Sequence, residues 1–371
     1  MPTSMRAAVL RESPGQLSIE TVDIDDPGPR EVLIRTAATG LCHSDLHWLD
    51  GHYGAVGSMP PRVLGHEAAG IVEAVGREVT DVAVGDAVVT CPSVFCGHCD
   101  YCLSGRPSLC DRQGTDRDPA APSILSIGGE PVIQSAGLAS FAEKMVVNEH
   151  GVVKIRPDVP LDVVAPIGCA VLTGIGAVWH AAQIEPGSTV AVVGCGGVGL
   201  NCIQGAALAG ASRIIAIDAN PAKLVLAEQF GATHLIDATK GDPVQAVHSL
   251  TPGVSSPGVD YSFEAIGKKV TAEQAFAMLH KGGTATILGV MPGGTVLEFP
   301  AMDIFFERKI QGSLMGSNRF RQDVPRFIEL YLEGRLKLDE LVSARITLDE
   351  INEGFTAMKN GDVARSVVVF G

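Results

Sequence analysis

The chain lacks any run of basic residues, and its 28 Lys and Arg are outnumbered by 42 Asp and Glu, for a formal charge of −14. A surface of that sign repels nucleic-acid backbones and anionic lipid headgroups, so neither is expected as a partner. Charge is also sparse, at 19% of residues against 46% hydrophobic, which excludes a disordered polyelectrolyte. No secretory leader is read in the opening MPTSMRAAVLRESPGQ, where Arg11, Glu12 and Pro14 break the short apolar piece, and a cytoplasmic protein is expected. A full set of disulfides is missing as well, because nine cysteines is an odd number. Clustered cysteines in such a chain are metal ligands or reactive thiols more often than bridges. Two stretches without charge, 163–184 and 186–212, are rich in Gly and carry Thr, Asn, Gln or His with turn signals. They read as buried strands and helix rather than bilayer spans.

What is present begins with length. A chain of 371 residues exceeds one ordinary core, so two domains are expected. The first third alternates short β-rich runs (VLIRTAATG, GIVEAVG, DAVVT) with Pro, Gly and Asp, the pattern of a mostly antiparallel β domain. A cysteine-rich lobe lies between Cys96 and Cys110, and 111–139 reads as a long surface loop. From TVAVVG onward strands alternate with helices: RIIAID, HLIDA, VDYSFEAIG and GTATILGV, with NPAKLVLAEQFGA and TAEQAFAMLHKG between them. That alternation predicts an α/β domain with a parallel sheet. Asn220 is the expected cap of the NPAKLVLAEQF helix, with Pro221 in its first turn. The tail holds the helical VPRFIELYLEG and ends in RSVVVF, a strand expected to rejoin the first domain.

Gly194, Gly196 and Gly199 form G-x-G-x-x-G between a predicted strand and helix, with Gly197 and Val198 inside the turn. Asp218 ends the next strand, 19 residues after Gly199. In that context the glycines serve a tight turn, close backbone approach to a pyrophosphate, and helix–sheet packing, while the helix N-terminus faces the phosphates. An acid at 218 accepts from a ribose and repels a 2′-phosphate, so NAD is favoured over NADP.

Cys96, Cys99, Cys102 and Cys110 follow C-x2-C-x2-C-x7-C. Four thiolates so spaced surround one tetrahedral zinc with no open position, a structural site. An iron–sulfur cluster or a nucleic-acid-binding zinc ribbon fits the same spacing, and the acidic charge disfavours the ribbon.

Cys42, His66 and Cys169 are too far apart for spacing to mark them. The segments CHSDLH, GHEAAGIVEAVG, CGHCDYC, IGCAVLTGIGAVW and VAVVGCGGVG, in this order over nearly the whole chain, resemble the zinc-dependent medium-chain alcohol dehydrogenases, nearest the long-loop branch of liver-type and glutathione-dependent formaldehyde enzymes. The resemblance implies a GroES-like β-rich catalytic domain (1–170 and 312–371), a doubly wound Rossmann domain (171–311), an active site in the cleft between them, and a homodimer. It implies Cys42, His66 and Cys169 as ligands of a catalytic zinc, the Cys2His set already known for alcohol dehydrogenases as a class. Such a zinc acts as a Lewis acid on an alcohol oxygen. Glu67 is implied near the metal, Asp45 as the acid orienting His66, and Ser44 and His47 as a proton relay. Toward the cofactor it implies His43 and Arg365 at the pyrophosphate, Lys223 at the adenosine ribose, and Thr173, Val198 and Val290 around the nicotinamide. Trp48, Pro92, Phe141 and Val290 are the implied pocket wall. Cys91, Cys195 and Cys202 are left to packing.

The chain departs from the glutathione-dependent pattern where its anchors belong: the Arg position falls near Gly114, flanked by Arg112 and Arg117, and the acidic positions fall near Tyr53 and Ala55. The expected reaction is hydride transfer between a primary alcohol, aromatic or medium-chain, and NAD. The alternative is a nicotinoprotein that keeps its NAD bound and passes electrons to another acceptor.

Overall fold

The computed structural model describes residues 3–53, 60–112, 115, 117, 121–252, 256–361 and 363–371. The chain divides into two compact units, Met1–Cys169 with Arg319–Gly371, and Ala170–Asn318. The second unit extends past 311 because the strand Lys309–Gly312 completes its sheet and the turn Leu314–Ser317 packs on the helix Ala170–Gly176.

In the first unit, Thr3–Leu10 ends in the continuous buried apolar run Ala7–Leu10, and it pairs antiparallel with Leu17–Ile24 from Thr3↔Ile24 to Leu10↔Leu17. They join three short strands in a closed barrel whose core includes Leu10, Ile24, Leu64, Leu125 and Phe141. The stretch expected to be loop contributes two of those strands: Leu125–Ile127 and Glu130–Gln134 form a hairpin. Gly128 and Gly129 turn it with φ of +58° and +87°, the mirror-image turn whose twist suits a two-residue hairpin. Their signal is local, and the many Pro, Gly and Ser around it mask it.

A second sheet is built on the long strand Glu31–Gly40, which pairs antiparallel with Ala68–Val75. The C-terminal strand Ser366–Val369 adds to the other side of Glu31–Gly40, with Val367 opposite Gly40, so the end of the chain does rejoin the first unit. This pairing carries residue 365 to the end of Glu31–Gly40.

The second unit is a six-stranded parallel sheet. Its spatial order is His234–Asp237, Arg213–Asp218, Thr189–Val193, Val259–Glu264, Leu279–Ile287, Lys309–Gly312. Ala191, Val193, Ile215, Ile217 and Phe276 fill its core. Strand order reverses on either side of Thr189–Val193, which makes the carboxyl end of that strand a topological switch point, the place where open α/β sheets bind ligands. Asn220 caps the helix Pro221–Gln229 by accepting from the Ala222 amide. Among the described residues no single helix is long and apolar enough to cross a membrane.

Candidate active site and metal centres

Two neighbouring strand ends begin the first site. Glu31–Gly40 and Ala68–Val75 pair so that Thr39 lies opposite Ala68, and the Gly40 amide donates to the Glu67 carbonyl at 2.8 Å. Cys42 therefore leaves one strand where His66 and Glu67 enter the other. Cys169 comes from farther along the chain, after the short turn Ala165–Gly168, which packs on the same two strands. The ligand atoms of Cys42, His66, Glu67 and Cys169 all lie within 4.8 Å of one another, and all four residues are buried.

Asp45 fixes this arrangement from the first turn of the helix His43–Leu49. Its carboxylate accepts from the Cys42 amide at 3.3 Å and the Gly65 amide at 3.1 Å, and it faces His66 Nδ1 at 3.2 Å. One carboxylate thus positions two of the sulfur and nitrogen donors and directs the His66 Nδ1–H, leaving Nε2 as the lone-pair nitrogen. Hydrogen bonding with Cys169 holds the Cys42 thiol well below the usual thiol range against the effect of burial.

Glu67 is fully buried, and neither of its oxygens has a hydrogen-bond partner. Arg365 Nη1 lies 3.3 Å from it. Burial pushes the Glu67 carboxyl up to about 8, partly offset by Arg365. Two orphaned carboxylate oxygens beside two thiols and an imidazole are what a divalent cation would satisfy. Arg365 itself, expected at a pyrophosphate, is only 4% exposed and donates to the Leu41 carbonyl at 2.6 Å. The C-terminal strand seats it beside Glu67, and its buried Nε has no partner.

Ser44 Oγ sits 3.8 Å from Cys42 Sγ. Together with Asp45, Trp48, Tyr53, His66, Pro92, Ser135 and Ala136 it lines a cleft of about 480 Å³. Trp48 is held on one side by the Arg62 guanidinium, 3.8 Å from its ring, and contacts the Tyr53 ring at 5.0 Å. Phe141, expected in this wall, is fully buried in the barrel core, edge-on to Phe355, and offers no surface to the cleft. Ser135 and Ala136 were not singled out from the sequence, which gave no local pattern to mark them, and Tyr53 was named only where an acidic anchor would fall. His43 is exposed, and His47 is half-buried.

The second cluster lies in the cysteine lobe. Cys99 Sγ is 3.8 Å from Cys110 Sγ, and Cys96 Sγ is 4.0 Å from Cys102 Sγ. Tetrahedral zinc with bonds of about 2.3 Å sets its sulfurs about 3.8 Å apart. Backbone amides of Cys99, His98 and Arg112 point at these sulfurs, as they do at thiolates. The lobe's helix Asp100–Leu103 and turn Pro107–Leu109 bury no residue, so packing alone does not order it.

In the second unit the glycine turn is tight. Gly194 has φ +96°, and a Cβ on Gly199 would lie 1.7 Å from the Gly194 carbonyl oxygen. At Gly196 a Cβ would meet no atom within 4 Å, so the backbone is bare where the helix Gly197–Leu208 begins. Asp218 accepts from the Cys195 amide at 2.7 Å and the Asn220 amide at 2.8 Å, and each oxygen retains acceptor capacity. Thr173 is buried with its hydroxyl 3.9 Å from Met315 Sδ, Val198 and Lys223 are partly exposed, and Val290 is 46% exposed. Cys91, Cys195 and Cys202 are fully buried. Arg112 donates to the Pro92 carbonyl, and Arg117 forks onto Glu31 at 2.6–3.1 Å, so both are engaged within the protein. Gly114 and Ala55 lie outside the described residues.

Comparison with known proteins agrees with this geometry. Residues 28–157 match the model of the alcohol dehydrogenase GroES-like domain, and residues 197–333 match that of the zinc-binding dehydrogenase family. The chain is 38% identical to an alcohol dehydrogenase class-3 of Cereibacter sphaeroides over 98% of its own length and 99% of the relative's. It is 39% identical to a probable S-(hydroxymethyl)glutathione dehydrogenase 1 of Schizosaccharomyces pombe over 98% and 96%. The solved benzyl alcohol dehydrogenase of Acinetobacter calcoaceticus superposes with a TM-score of 0.92 at 32% identity, covering 100% of both chains. With two family models in order along it and relatives alike over their full length, the chain belongs to the zinc-dependent medium-chain alcohol dehydrogenases.

Proposed function

We propose that this enzyme transfers a hydride between a primary alcohol, aromatic or medium-chain, and NAD, yielding the aldehyde. The observation that carries the reading is the buried set Cys42, His66, Glu67 and Cys169 beneath a cleft walled by Trp48 and Tyr53. Cys42, His66 and Cys169 would hold a catalytic zinc with Glu67 beside it, and the four cysteines of the lobe would hold a second, structural zinc. Bound there, the catalytic zinc supplies a Lewis acid that lowers the pKa of an alcohol oxygen, and NAD supplies the hydride acceptor.

The chain's own residues do the rest. Asp45 keeps His66 in one tautomer and one orientation. Ser44, which lines the cleft, would take the alcohol proton on its hydroxyl as that hydroxyl passes its own proton on toward His47, which carries it outward. Burial and the neighbouring His52 hold His47 below the usual imidazole range, so it remains a neutral acceptor to lower pH than a free histidine would. The flat faces of Trp48 and Tyr53, one braced by Arg62, suit an aryl or alkyl chain better than a charged tripeptide. Internal engagement of Arg112 and Arg117 supports the same choice over a glutathione adduct. The test is NADH formation with benzyl-type alcohols, medium-chain primary alcohols and S-(hydroxymethyl)glutathione. Preference for the first two is expected; preference for the glutathione adduct would overturn the substrate reading. Activity only with an artificial acceptor, with NAD retained through dialysis, would indicate a nicotinoprotein.

Asp218 is the proposed ribose acceptor, flanked by Lys223, with Gly194, Gly196, Gly197 and Gly199 at the pyrophosphate and Thr173, Val198 and Val290 at the nicotinamide. The bare edge at Gly196 fits a diphosphate, and the carboxylate of Asp218 disfavours a 2′-phosphate. Replacing Asp218 with Ala is expected to raise KM for NAD about tenfold and to narrow its advantage over NADP by roughly 1–3 kcal/mol, read from kcat/KM with each cofactor.

A homodimer is also proposed. Val296, Met302, Ile304 and Phe305 are 49–74% exposed in the segment that leads into Lys309–Gly312, the edge strand of the second sheet. An apolar patch at an open strand edge favours self-association. Phe305→Asp should shift the mass measured by light scattering toward the monomer. That none of the nine cysteines is in a disulfide fits the reducing cytoplasm.

A further inference from the structure

Two histidines meet where the helix His43–Leu49 ends. Asp50 closes the helix, and Gly51 turns the chain at φ +78°. The His52 amide donates to the His47 carbonyl at 2.9 Å and the Gly51 amide to the Trp48 carbonyl at 3.2 Å. This pair of bonds is the Schellman closure, which lays the second residue beyond the cap against the third from the helix end. That contact is usually apolar. Here it is imidazole on imidazole, with His47 Nδ1 and His52 Nδ1 2.9 Å apart and ring centroids 5.1 Å apart.

At that separation the two nitrogens hold one proton between them, one donating and the other accepting, since two imidazolium ions would repel. His47 is half-buried, whereas His52 is exposed. The other groups facing the pair are the His43 ring at 6.3 Å, the Tyr53 ring at 5.7 Å, Cys42, and Asp50, which is ion-paired with Lys359 at 2.8 Å. Of these groups, His52 is the exposed one whose ring nitrogen lies within hydrogen-bond distance of His47 Nδ1.

We propose that His52 is the outer member of a two-histidine proton wire, delivering to water the proton that His47 takes up during alcohol oxidation. A proton arriving at His47 Nε2 is matched by loss of the proton on His47 Nδ1. That N–H bond breaks as one forms on His52 Nδ1, and His52 releases its Nε2 proton to water. One proton enters and one leaves, no electrons move, and tautomer exchange with water resets both rings. In aldehyde reduction the direction reverses. The closure at Gly51 is what sets the two rings in line, so His52 is a positioning and proton-carrying residue rather than one that touches substrate.

The proposal rests on the alcohol-oxidation reading above, and two measurements separate their failures. The first uses full-length enzyme isotopically labelled at the histidine nitrogens. Nuclear magnetic resonance is expected to show a nitrogen–nitrogen coupling across the His47–His52 hydrogen bond, lost in His52→Gln; its absence in the parent enzyme would overturn the wire. The second is the pH–rate profile. Gln at 52 keeps a hydrogen bond to His47 but cannot carry a proton. His52→Gln should lower kcat roughly threefold or more below about pH 7, leave KM unchanged, and recover when imidazole is added to the buffer. If His47→Gln depresses the acid side of the profile and His52→Gln does not, the wire fails and the relay through His47 stands. If neither variant changes the profile, the relay reading fails and the wire with it.

Discussion

Cys42→Ser should lower kcat/KM for NAD-linked alcohol oxidation by about 10³-fold, the equivalent of about 4 kcal/mol of lost transition-state stabilisation. The variant is informative because Cys42 has two local jobs. It is the N-cap of the helix His43–Leu49, with the Asp45 carboxylate reaching back to its amide. It is also one of the sulfur donors of the buried set. Serine is among the best N-cap residues, so the helix start and the Asp45 contacts persist or improve. What is lost is the soft, easily ionised sulfur, for which a hydroxyl is a poor substitute at zinc. The melting temperature should therefore stay near that of the parent while zinc content drops from two equivalents per chain toward one. A Cys42→Ser enzyme of near-parental activity would remove this residue from the metal site.

The second large effect is on stability. Cys99→Ser should destabilise the lobe between Cys96 and Cys110 by several kcal/mol, lower the melting temperature by on the order of 10 °C, and open the lobe to proteolysis. The physical reason is how little apolar surface the lobe buries. The helix Asp100–Leu103 is a single turn with no buried residue, and Tyr101, Leu103 and Leu109 are 37–73% exposed. Four sulfurs within 4.8 Å of one another, two of the pairs at 3.8 and 4.0 Å, are the lobe's core. A chelator able to strip this site should reproduce the variant, and limited proteolysis with and without zinc checks both. An unchanged cleavage pattern would mean the lobe is held by something other than metal.

How much of this was legible in the sequence depended on how local each feature is. The glycine turn and Asp218 were readable because strand, turn, helix and acid follow one another along the chain, and the sheet order then put them at the switch point. The cysteine lobe was readable because its four ligands span only 96–110. Cys42, His66 and Cys169 were named through family resemblance alone; the pairing of Thr39 with Ala68 that brings the first two together is a tertiary fact. Arg365 shows the limit most clearly. Its neighbours, Leu41 and Glu67, are some 300 residues away in sequence, and only the addition of Ser366–Val369 beside Gly40 sets its guanidinium beside Glu67. Phe141 was named through the resemblance, and only closure of the barrel shows how deeply it is buried. The hairpin at 125–134 was hidden by its own turn residues, since the glycines that make a two-residue turn also make a sequence read as loop. His52 carried no motif; its significance comes from the helix closure that folds it onto His47.

We propose that a buried Cys42–His66–Cys169 centre and an NAD site act together on a primary alcohol. It is tested most directly by following NADH absorbance when purified, zinc-replete enzyme meets NAD and benzyl-type or medium-chain alcohols, before and after chelation. NADH formation that chelation abolishes and added zinc restores is the expected result. NADH formation that survives loss of both zincs, or none with any alcohol while both zincs are bound, would contradict it.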